Sequence, residues 1–172
     1  MRPEELIRDV PDFPRPGIVF KDITPLLLDA AAFRETVERV ARPFSTRVDV
    51  VLGIESRGFI IGAAVAYHLG AGFAIARKPG KLPAAFFEAR YALEYGTDAL
   101  QIHRDAFRDG ARVLIVDDLL ATGGTAAAAV ELARRLGAEV VACAFVIELA
   151  FLHGRQRLEP APVHSVIRYG AD

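Results

Sequence analysis

The chain has 172 residues, which is enough to bury a full core, and it most simply forms one domain. Hydrophobic residues make up 52% of it, yet no uninterrupted apolar run approaches the roughly 18–20 residues of a membrane span. The net charge is −1, so no basic field indicates nucleic acid, and the acidic N-terminus leads into no apolar signal-peptide segment. We therefore expect a cytoplasmic protein with no membrane or nucleic-acid partner.

The N-terminal part of the chain is rich in turn-forming residues. Residues 13–27 contain three prolines and one glycine, which argues against a regular helix there. This segment either lines a site or is a surface loop that Phe13 and Phe20 pin to the core. Asp29 then predicts the start of a helix over about residues 30–43, because an aspartate side chain can cap free backbone N–H groups.

The next segment has the pattern strand, loop, helix. The apolar run 48–54 predicts a strand, and residues 59–69 predict a helix. Between them, Ser56, Arg57 and the backbone of Gly58 could cradle an anion. The alternative is that Ser56 only caps the helix and Arg57 is solvated.

A basic loop follows the third predicted strand. Residues 74–83 end this strand in a loop with prolines and a glycine, and the cations there are Arg77, Lys78 and Lys81. A run of like charge is often only a solvated surface. Doubly wound sheets, however, bind ligands at strand ends, so these cations are candidates for an anion site.

The remaining peripheral segments complete an alternating α/β pattern. Residues 84–103 predict a two-stranded flap, followed by a helical turn at 104–107. Two further strands are predicted over residues 139–149 and 163–167, with a short helical piece over 151–158 between them.

The most informative stretch lies between these segments. The branched apolar run 113–116 predicts a buried strand that stops at Asp117 and Asp118. A loop of small residues, 121–125, leads into a strongly helix-favouring run, 126–136. A helix start exposes unpaired N–H groups and the positive end of the helix dipole, and glycines let an anion approach closely.

This order of residues indicates a site for a phosphorylated sugar. Thr122 and Thr125 add hydroxyl donors for a phosphate, whereas Asp117 and Asp118 would repel it and suit sugar hydroxyls or a metal ion. The alternative is an ordinary strand, turn and helix whose glycines only permit a tight turn. Neither G-x-x-x-x-G-K-[ST] nor G-x-G-x-x-G is present in this segment, which argues against a nucleotide-binding dehydrogenase.

The stretch V-D-D-L-L-A-T-G-G-T resembles the phosphoribosyl-pyrophosphate motif of the type I phosphoribosyltransferases. Four further segments resemble the adenine phosphoribosyltransferases of that family, so the likeness extends over essentially the whole chain. The five matching segments are residues 13–27, 53–59, 77–83, 93–98 and 116–125.

The resemblance implies a fold as well as a reaction. The fold is the α/β type I phosphoribosyltransferase fold, a mostly parallel sheet flanked by helices with a small hood and flap. Residues 1–172 would form a single domain, with the hood in about 1–30 and a flexible flap in about 78–103. The implied reaction joins adenine to 5-phosphoribosyl 1-pyrophosphate and yields AMP and pyrophosphate, with Mg²⁺ as cofactor.

The resemblance also assigns site residues by their positions in the matching motifs. The residues assigned to catalysis are Glu94, Asp117 and Asp118, and those assigned to binding of the 5-phosphate are Ala121, Thr122, Gly123, Gly124 and Thr125. The residues assigned to the pyrophosphate are Ser56, Arg57, Arg77, Lys81 and Tyr95. Those assigned to adenine are Val19, Phe20, Lys21 and Leu149. No direct protein ligand to the metal is implied, because substrate and water would hold most of the Mg²⁺ coordination. A homodimer is implied, since the basic-loop arginine of this family can reach the neighbouring subunit's site.

Two further expectations come from the resemblance. The peptide bond between Glu55 and Ser56 is expected to be cis. The 6-oxopurine enzymes of this superfamily place a lysine on the strand that corresponds to residues 139–149, and here that strand contains none, which favours a 6-aminopurine. The alternatives are a phosphoribosyltransferase for another base such as xanthine, and a non-catalytic regulator that senses phosphoribosyl pyrophosphate.

Overall fold

The structure is a computed structural model that describes residues 2–45, 47–92 and 96–170. The chain divides into two compact units, residues 1–39 and 40–172. None of the helices in the described ranges has the length and apolar character that a membrane crossing requires.

The first unit is a small hairpin with helices. Strands β1 (Arg8–Pro11) and β2 (Val19–Asp22) pair antiparallel, and they are preceded by a 3-10 turn, Pro3–Leu6. Helices α1 (Thr24–Leu28) and α2 (Ala30–Ala41) follow.

Two details of this unit test the sequence predictions. The Asp29 carboxylate accepts the backbone N–H groups of Ala31 and Ala32 at 3.1 and 2.9 Å, so the predicted cap is confirmed. The expectation that residues 13–27 hold no regular helix is wrong for α1. Pro25 lies in the first turn of that helix, where its missing N–H is not needed.

The second unit is built on a seven-stranded sheet with the order β5-β6-β4-β3-β7-β8-β9. The strands are β3 (Val50–Ile54), β4 (Gly72–Arg77), β5 (Phe86–Ala92), β6 (Thr97–His103), β7 (Arg112–Leu120), β8 (Glu139–Leu149) and β9 (Val163–Tyr169). Strands β4, β3, β7, β8 and β9 run parallel, and β6 and β5 continue the sheet antiparallel. The predicted α/β class and the two strands predicted within residues 84–103 are therefore confirmed, and both strands belong to the main sheet.

Helices and short turns connect these strands. Helix α3 (Arg57–Leu69) packs on β3 and β7, and helix α4 (Gly124–Arg135) packs on β5, β6, β7 and β8. Short 3-10 turns cover Arg42–Phe44, Ala150–Leu152 and Gly154–Leu158. The predicted helical turn at 104–107 is wrong, because these residues form only a non-helical turn after β6.

The core explains why the central strands are so apolar. Both faces of β7 and β8 are covered, so Ile115, Val116, Phe145 and Val146 are fully buried. Burial of such side chains from water is the main force that fixes the sheet, and with it the positions of the strand ends. Cys143 is buried among them, and this burial raises the pKa of its thiol to about 12.

Candidate active site

The predicted site residues of the second unit lie at the carboxyl ends of the parallel strands. The chain passes from β3 to β4 on one side and later returns to β7 on the other side of β3. The ends of β3 and β7 therefore flank a switch point, where open α/β sheets bind ligands in a crevice. The Ser56 loop follows β3, and the paired acids and glycine loop belong to β7.

The two acids have different environments. Asp118 is only 4% exposed, and its Oδ2 lies 2.7 Å from Arg57 Nε in an ion pair. Asp117 is half-buried, and its Oδ1 accepts the backbone N–H of Asp118 at 2.8 Å. Burial and the neighbouring Asp118 carboxylate raise the pKa of Asp117 well above its usual range. The pair therefore combines one carboxylate matched to an arginine with one carboxyl group ready for a hydroxyl or cationic ligand.

The prediction that the strand stops before the acids is wrong. Strand β7 continues to Leu120, and Asp117 still pairs with Phe145 of β8. The strand tolerates the acids because Arg57, from another segment, provides Asp118 with a partner of opposite charge.

The glycine loop after β7 has the geometry of an anion site. Gly123 has φ 83°, a left-handed conformation that favours glycine, and it lies at the start of α4. Within the described residues, no side chain caps this helix start. A cavity of about 90 Å³ is lined by residues 119–126 together with Asp117. The free helix start and the hydroxyls of Thr122 and Thr125 can therefore face a phosphate group.

The loop after β3 packs directly against the acid pair. Ser56 is the residue before α3, and the Glu55–Ser56 peptide bond is cis, as the resemblance implies. A Cβ on Gly58 would lie 2.7 Å from Asp117 Oδ1, so only glycine lets this backbone approach β7 so closely. The contact brings Ser56 and Arg57 next to Asp117 and Asp118, as the predicted site requires.

The cations of the basic loop are held by an acid that the sequence prediction missed. Lys81 Nζ forms an ion pair with the Glu55 carboxylate, and Arg77 Nε lies 3.4 Å from it. Glu55 also accepts the backbone N–H of Lys78 at 2.8 Å. Burial raises the pKa of Glu55, but the hydrogen bonds from Lys81 and Lys78 outweigh it and lower the pKa overall. The only sequence signal for Glu55 is its place directly before Ser56.

A second missed cluster connects the basic loop with strands β5 and β6. Lys78 Nζ bonds to Asp98 and, at 2.5 Å, to the Tyr91 hydroxyl, which in turn donates to Asp98 at 3.2 Å. Burial lowers the pKa of Lys78, but the bonds to Asp98 and Tyr91 raise it overall. The Tyr91 ring also lies 3.3 Å from the position of a Cβ on Gly124, so strand β5 contacts the glycine loop.

The remaining predicted residues belong to other segments of the chain. Val19, Phe20 and Lys21 belong to β2 of the first unit, where Phe20 packs edge-on against Phe13 with ring centroids 5.2 Å apart. Leu149 ends β8 in the second unit and is half-buried. Glu94 and Tyr95 lie outside the described residues.

Known proteins resemble this chain over most of its length. The family model for the phosphoribosyl transferase domain matches residues 25–167. The adenine phosphoribosyltransferase of Chloroflexus aurantiacus is 57% identical over 165 residues, which cover 95% of each chain. The crystal structure of the Thermoanaerobacter pseudethanolicus adenine phosphoribosyltransferase has a TM-score of 0.95 at 50% identity, covering 97% of this chain and 98% of that one.

A further solved structure contains ligands. The Saccharomyces cerevisiae adenine phosphoribosyltransferase, complexed with D-2,5-dideoxy-2,5-imino-altritol 1,6-bisphosphate and adenine, has a TM-score of 0.90 at 40% identity. The match covers 95% of this chain and 96% of the yeast chain.

Proposed function

The chain belongs to the phosphoribosyl transferase family, and we propose on this basis that it is an adenine phosphoribosyltransferase. It converts adenine and 5-phosphoribosyl 1-pyrophosphate into AMP and pyrophosphate, a purine-salvage reaction. The observation that carries this proposal is the acid pair, of which Asp118 is buried, beside a glycine helix start that no described side chain caps, at the switch point of the sheet.

The acid pair and the glycine loop bind different parts of the donor, 5-phosphoribosyl 1-pyrophosphate. The loop 121–125 takes the 5-phosphate through helix N–H groups and threonine hydroxyls. Asp117 and Asp118 accept hydrogen bonds from the two ribose hydroxyls, since carboxylates are strong acceptors. Sugar and phosphate thereby fix the anomeric carbon near the loop that follows β3.

The reaction breaks one bond at the anomeric carbon and forms another. The bonding electrons leave with the pyrophosphate oxygen, and the ribosyl centre gains oxocarbenium character. Fixed carboxylates at Asp117 and Asp118 stabilise this positive charge in a site sheltered from water. The adenine N9 lone pair then forms the new bond, and the base loses its proton. We assign the proton transfer to Glu94, on its place in the matching L-E-Y-G-T-D motif.

The pyrophosphate is assigned to the loops after β3 and β4. Ser56, Arg57, Arg77 and Lys81 are the donors, and Tyr95 would cover the group from the flap. Support comes from the ion pairs of Lys81 and Arg77 with the Glu55 carboxylate, which show that both cations can face one anion. Pyrophosphate carries more negative charge than the Glu55 carboxylate and would replace it as the partner of these cations.

Adenine binding is assigned from the family motifs. Phe20 and Leu149 would sandwich the base, and the backbone of Val19 and Lys21 would read its edge. A backbone donor and acceptor can reject a base that presents the wrong pattern, because buried polar groups would stay unpaired.

We also propose Mg²⁺ as the cofactor of this reaction. In the described ranges, no group of three or more His, Cys, Asp or Glu side chains could hold a metal ion. Asp117 and Asp118 nevertheless fit a hydrated Mg²⁺, since carboxylates are its usual protein partners and it keeps several waters. When bound, the ion neutralises charge on the donor's phosphate oxygens. The cytoplasmic location expected from the sequence stays a prediction.

The test is turnover of radiolabelled adenine with 5-phosphoribosyl 1-pyrophosphate in the presence of Mg²⁺. We expect labelled AMP, no comparable turnover of hypoxanthine, guanine or xanthine, and loss of activity with a chelator. Faster turnover of xanthine would reassign the base. Tight donor binding without turnover of any base would instead favour a regulator.

A further inference from the structure

The segment after β8 lies directly against the phosphate loop, backbone to backbone. A Cβ on Gly154 would overlap the carbonyl oxygen of Ala121 and lie 3.0 Å from the amide nitrogen of Gly123. In the reverse direction, a Cβ on Gly123 would overlap the carbonyl oxygen of Gly154. No side chain fits between the two backbones, so any shift of Gly154 displaces the loop.

Glycine is required at position 154 because there is no room for a side chain, and not because the backbone angles there need a glycine. It is buried, and it begins the 3-10 turn Gly154–Leu158 directly after His153, which has a left-handed φ of 53°. Gly154 itself is not among the glycines of positive φ. An alanine could therefore adopt its backbone angles, but its methyl group would push Ala121 and Gly123 away.

A partly buried ion network, centred on Glu148, fixes this segment to the sheet. Arg155 donates to both oxygens of the Glu148 carboxylate, at 3.1 and 2.6 Å, and to the carbonyl oxygen of Val163 at 2.8 Å. Glu148 is 3% exposed and also accepts the Ser165 hydroxyl at 2.6 Å. A guanidinium with this many fixed partners holds the adjacent Gly154 in one place.

The turn is also fixed at its far end. Leu158 is 1% exposed and belongs to the core cluster of the sheet. Its carbonyl oxygen accepts the backbone N–H of Ala161 at 2.8 Å. With Arg155 anchored near its start and Leu158 at its end, the turn can act as a rigid support.

We propose that Gly154 and Arg155 are positioning residues for the 5-phosphate site, acting as a support that sets the shape of the loop 121–125. This inference rests on the proposed function, since it concerns the donor's phosphate. Gly154 would act through its backbone contact with the loop, and Arg155 through Gly154. Neither residue needs to touch the ligand.

Binding of ribose 5-phosphate, which lacks both base and pyrophosphate, tests this inference. Gly154→Ala should weaken it at least tenfold, and Arg155→Lys, which keeps the charge but loses the two-pronged contact, about threefold. Pyrophosphate binding should change by less than twofold in both. In turnover, KM for the donor should rise by more than kcat falls. The matched control is Gly72→Ala, where a Cβ would meet only an ordinary 3.6 Å contact at the start of β4.

The outcomes separate this inference from the function on which it rests. Wild-type protein that binds no ribose 5-phosphate would overturn the proposed function. Wild-type binding together with unchanged affinity in Gly154→Ala would overturn only the positioning role, as would equal losses of ribose 5-phosphate and pyrophosphate. Should Gly154→Ala fail to fold, Arg155→Lys decides by the same comparison.

Discussion

Asp117 and Asp118 are neighbours in sequence that differ in their surroundings. Arg57 pairs with Asp118, whereas burial and the adjacent carboxylate raise the pKa of Asp117. A neutral side chain at position 117 would remove the repulsion between the two carboxylates and keep an oxygen that accepts the backbone N–H of Asp118. At position 118 the same change removes the partner of a half-buried arginine.

This asymmetry gives a prediction for two matched variants. Asp118→Asn should lower kcat by an amount that corresponds to about 2–4 kcal/mol, typical of one lost electrostatic contact in a transition state. Asp117→Asn should lower kcat by a smaller amount. Steady-state kinetics with saturating adenine and donor would measure both. Equal losses, or a larger loss at 117, would contradict the assigned difference.

Glu55 is the second residue whose role follows from its contacts. Lys81 and Arg77 pair with its carboxylate, so pyrophosphate must compete with Glu55 for these cations. Glu55→Gln keeps an acceptor for the Lys78 N–H but removes the charge. We expect pyrophosphate to bind about three- to tenfold more tightly, a gain of about 0.7–1.4 kcal/mol.

Product inhibition by pyrophosphate measures this change. Glu131→Gln is the control, because it removes one charge from an exposed position on α4, where Glu131 pairs with Arg135 at 3.8 Å. Unchanged or weaker inhibition in Glu55→Gln would show that the carboxylate only fixes the loop and does not compete.

At the scale of elements, local patterns predicted most strands and helices, and long-range partners decided the rest. The apolar runs of β3, β7 and β8 and the cap of α2 followed from periodicity and side-chain chemistry. The continuation of β7 through Asp117 and Asp118 did not, because it depends on Arg57 far away in the chain. Helix α1 was missed because Pro25 was counted as a helix breaker, although the first turn accepts it.

The candidate site was predictable to a similar extent and for the same reason. The acids, the glycine loop and the basic loop each have a local signature, and the sheet brings their strand ends to one edge. Glu55 and the Lys78–Tyr91–Asp98 cluster have no such signature, since each joins residues from different segments. The contact between Gly154 and the phosphate loop cannot be predicted from the sequence for the same reason.

Helix α3 carries a prediction about assembly. Its residues Ile60 and Tyr67 are 46% and 92% exposed, and a spacing of seven places them on one face of the helix. An exposed apolar helix face supports the homodimer that we propose from the family resemblance. Tyr67→Glu should shift the protein from dimer to monomer, because it would place a charge in that interface.

Light scattering coupled to size-exclusion chromatography measures this shift. Glu38→Ala, at an exposed position on α2, is the control and should leave the mass unchanged. A wild-type protein that is already monomeric at micromolar concentration would contradict the dimer. A Tyr67→Glu variant that stays dimeric would move the interface away from α3.

At the scale of the whole molecule, the two ends of the central strands have different roles. The carboxyl ends of β3 and β7 carry the site. At the opposite end, just before β3 begins, Asp49 accepts three hydrogen bonds from Arg112 of β7: the backbone N–H at 2.8 Å, Nε at 3.0 Å and Nη2 at 2.7 Å. The pair fixes the starts of the two central strands without contacting the predicted site residues of the second unit.

The last prediction concerns how this pair responds to pH. The hydrogen bonds from Arg112 lower the pKa of Asp49 from 3.8 to about 2. Because the folded-state pKa is lowered, the stabilisation is fully present above the unfolded value and is lost as pH falls through the folded value. Asp49→Asn should therefore unfold more easily than wild type at pH 7, with the difference shrinking below about pH 4 and disappearing only below about pH 2.

Urea unfolding between pH 3 and 7 measures this difference, and adenine turnover at pH 7 should stay close to wild type. Asp105→Asn removes the same charge at an exposed position, so it separates the effect of net charge from that of the pair. A difference between Asp49→Asn and wild type that stays constant down to pH 3 would show that the carboxylate acts there by shape and not by charge. A large loss of turnover would show that the two ends of the central strands are coupled, because a local change where the strands begin would then reach the site where they end.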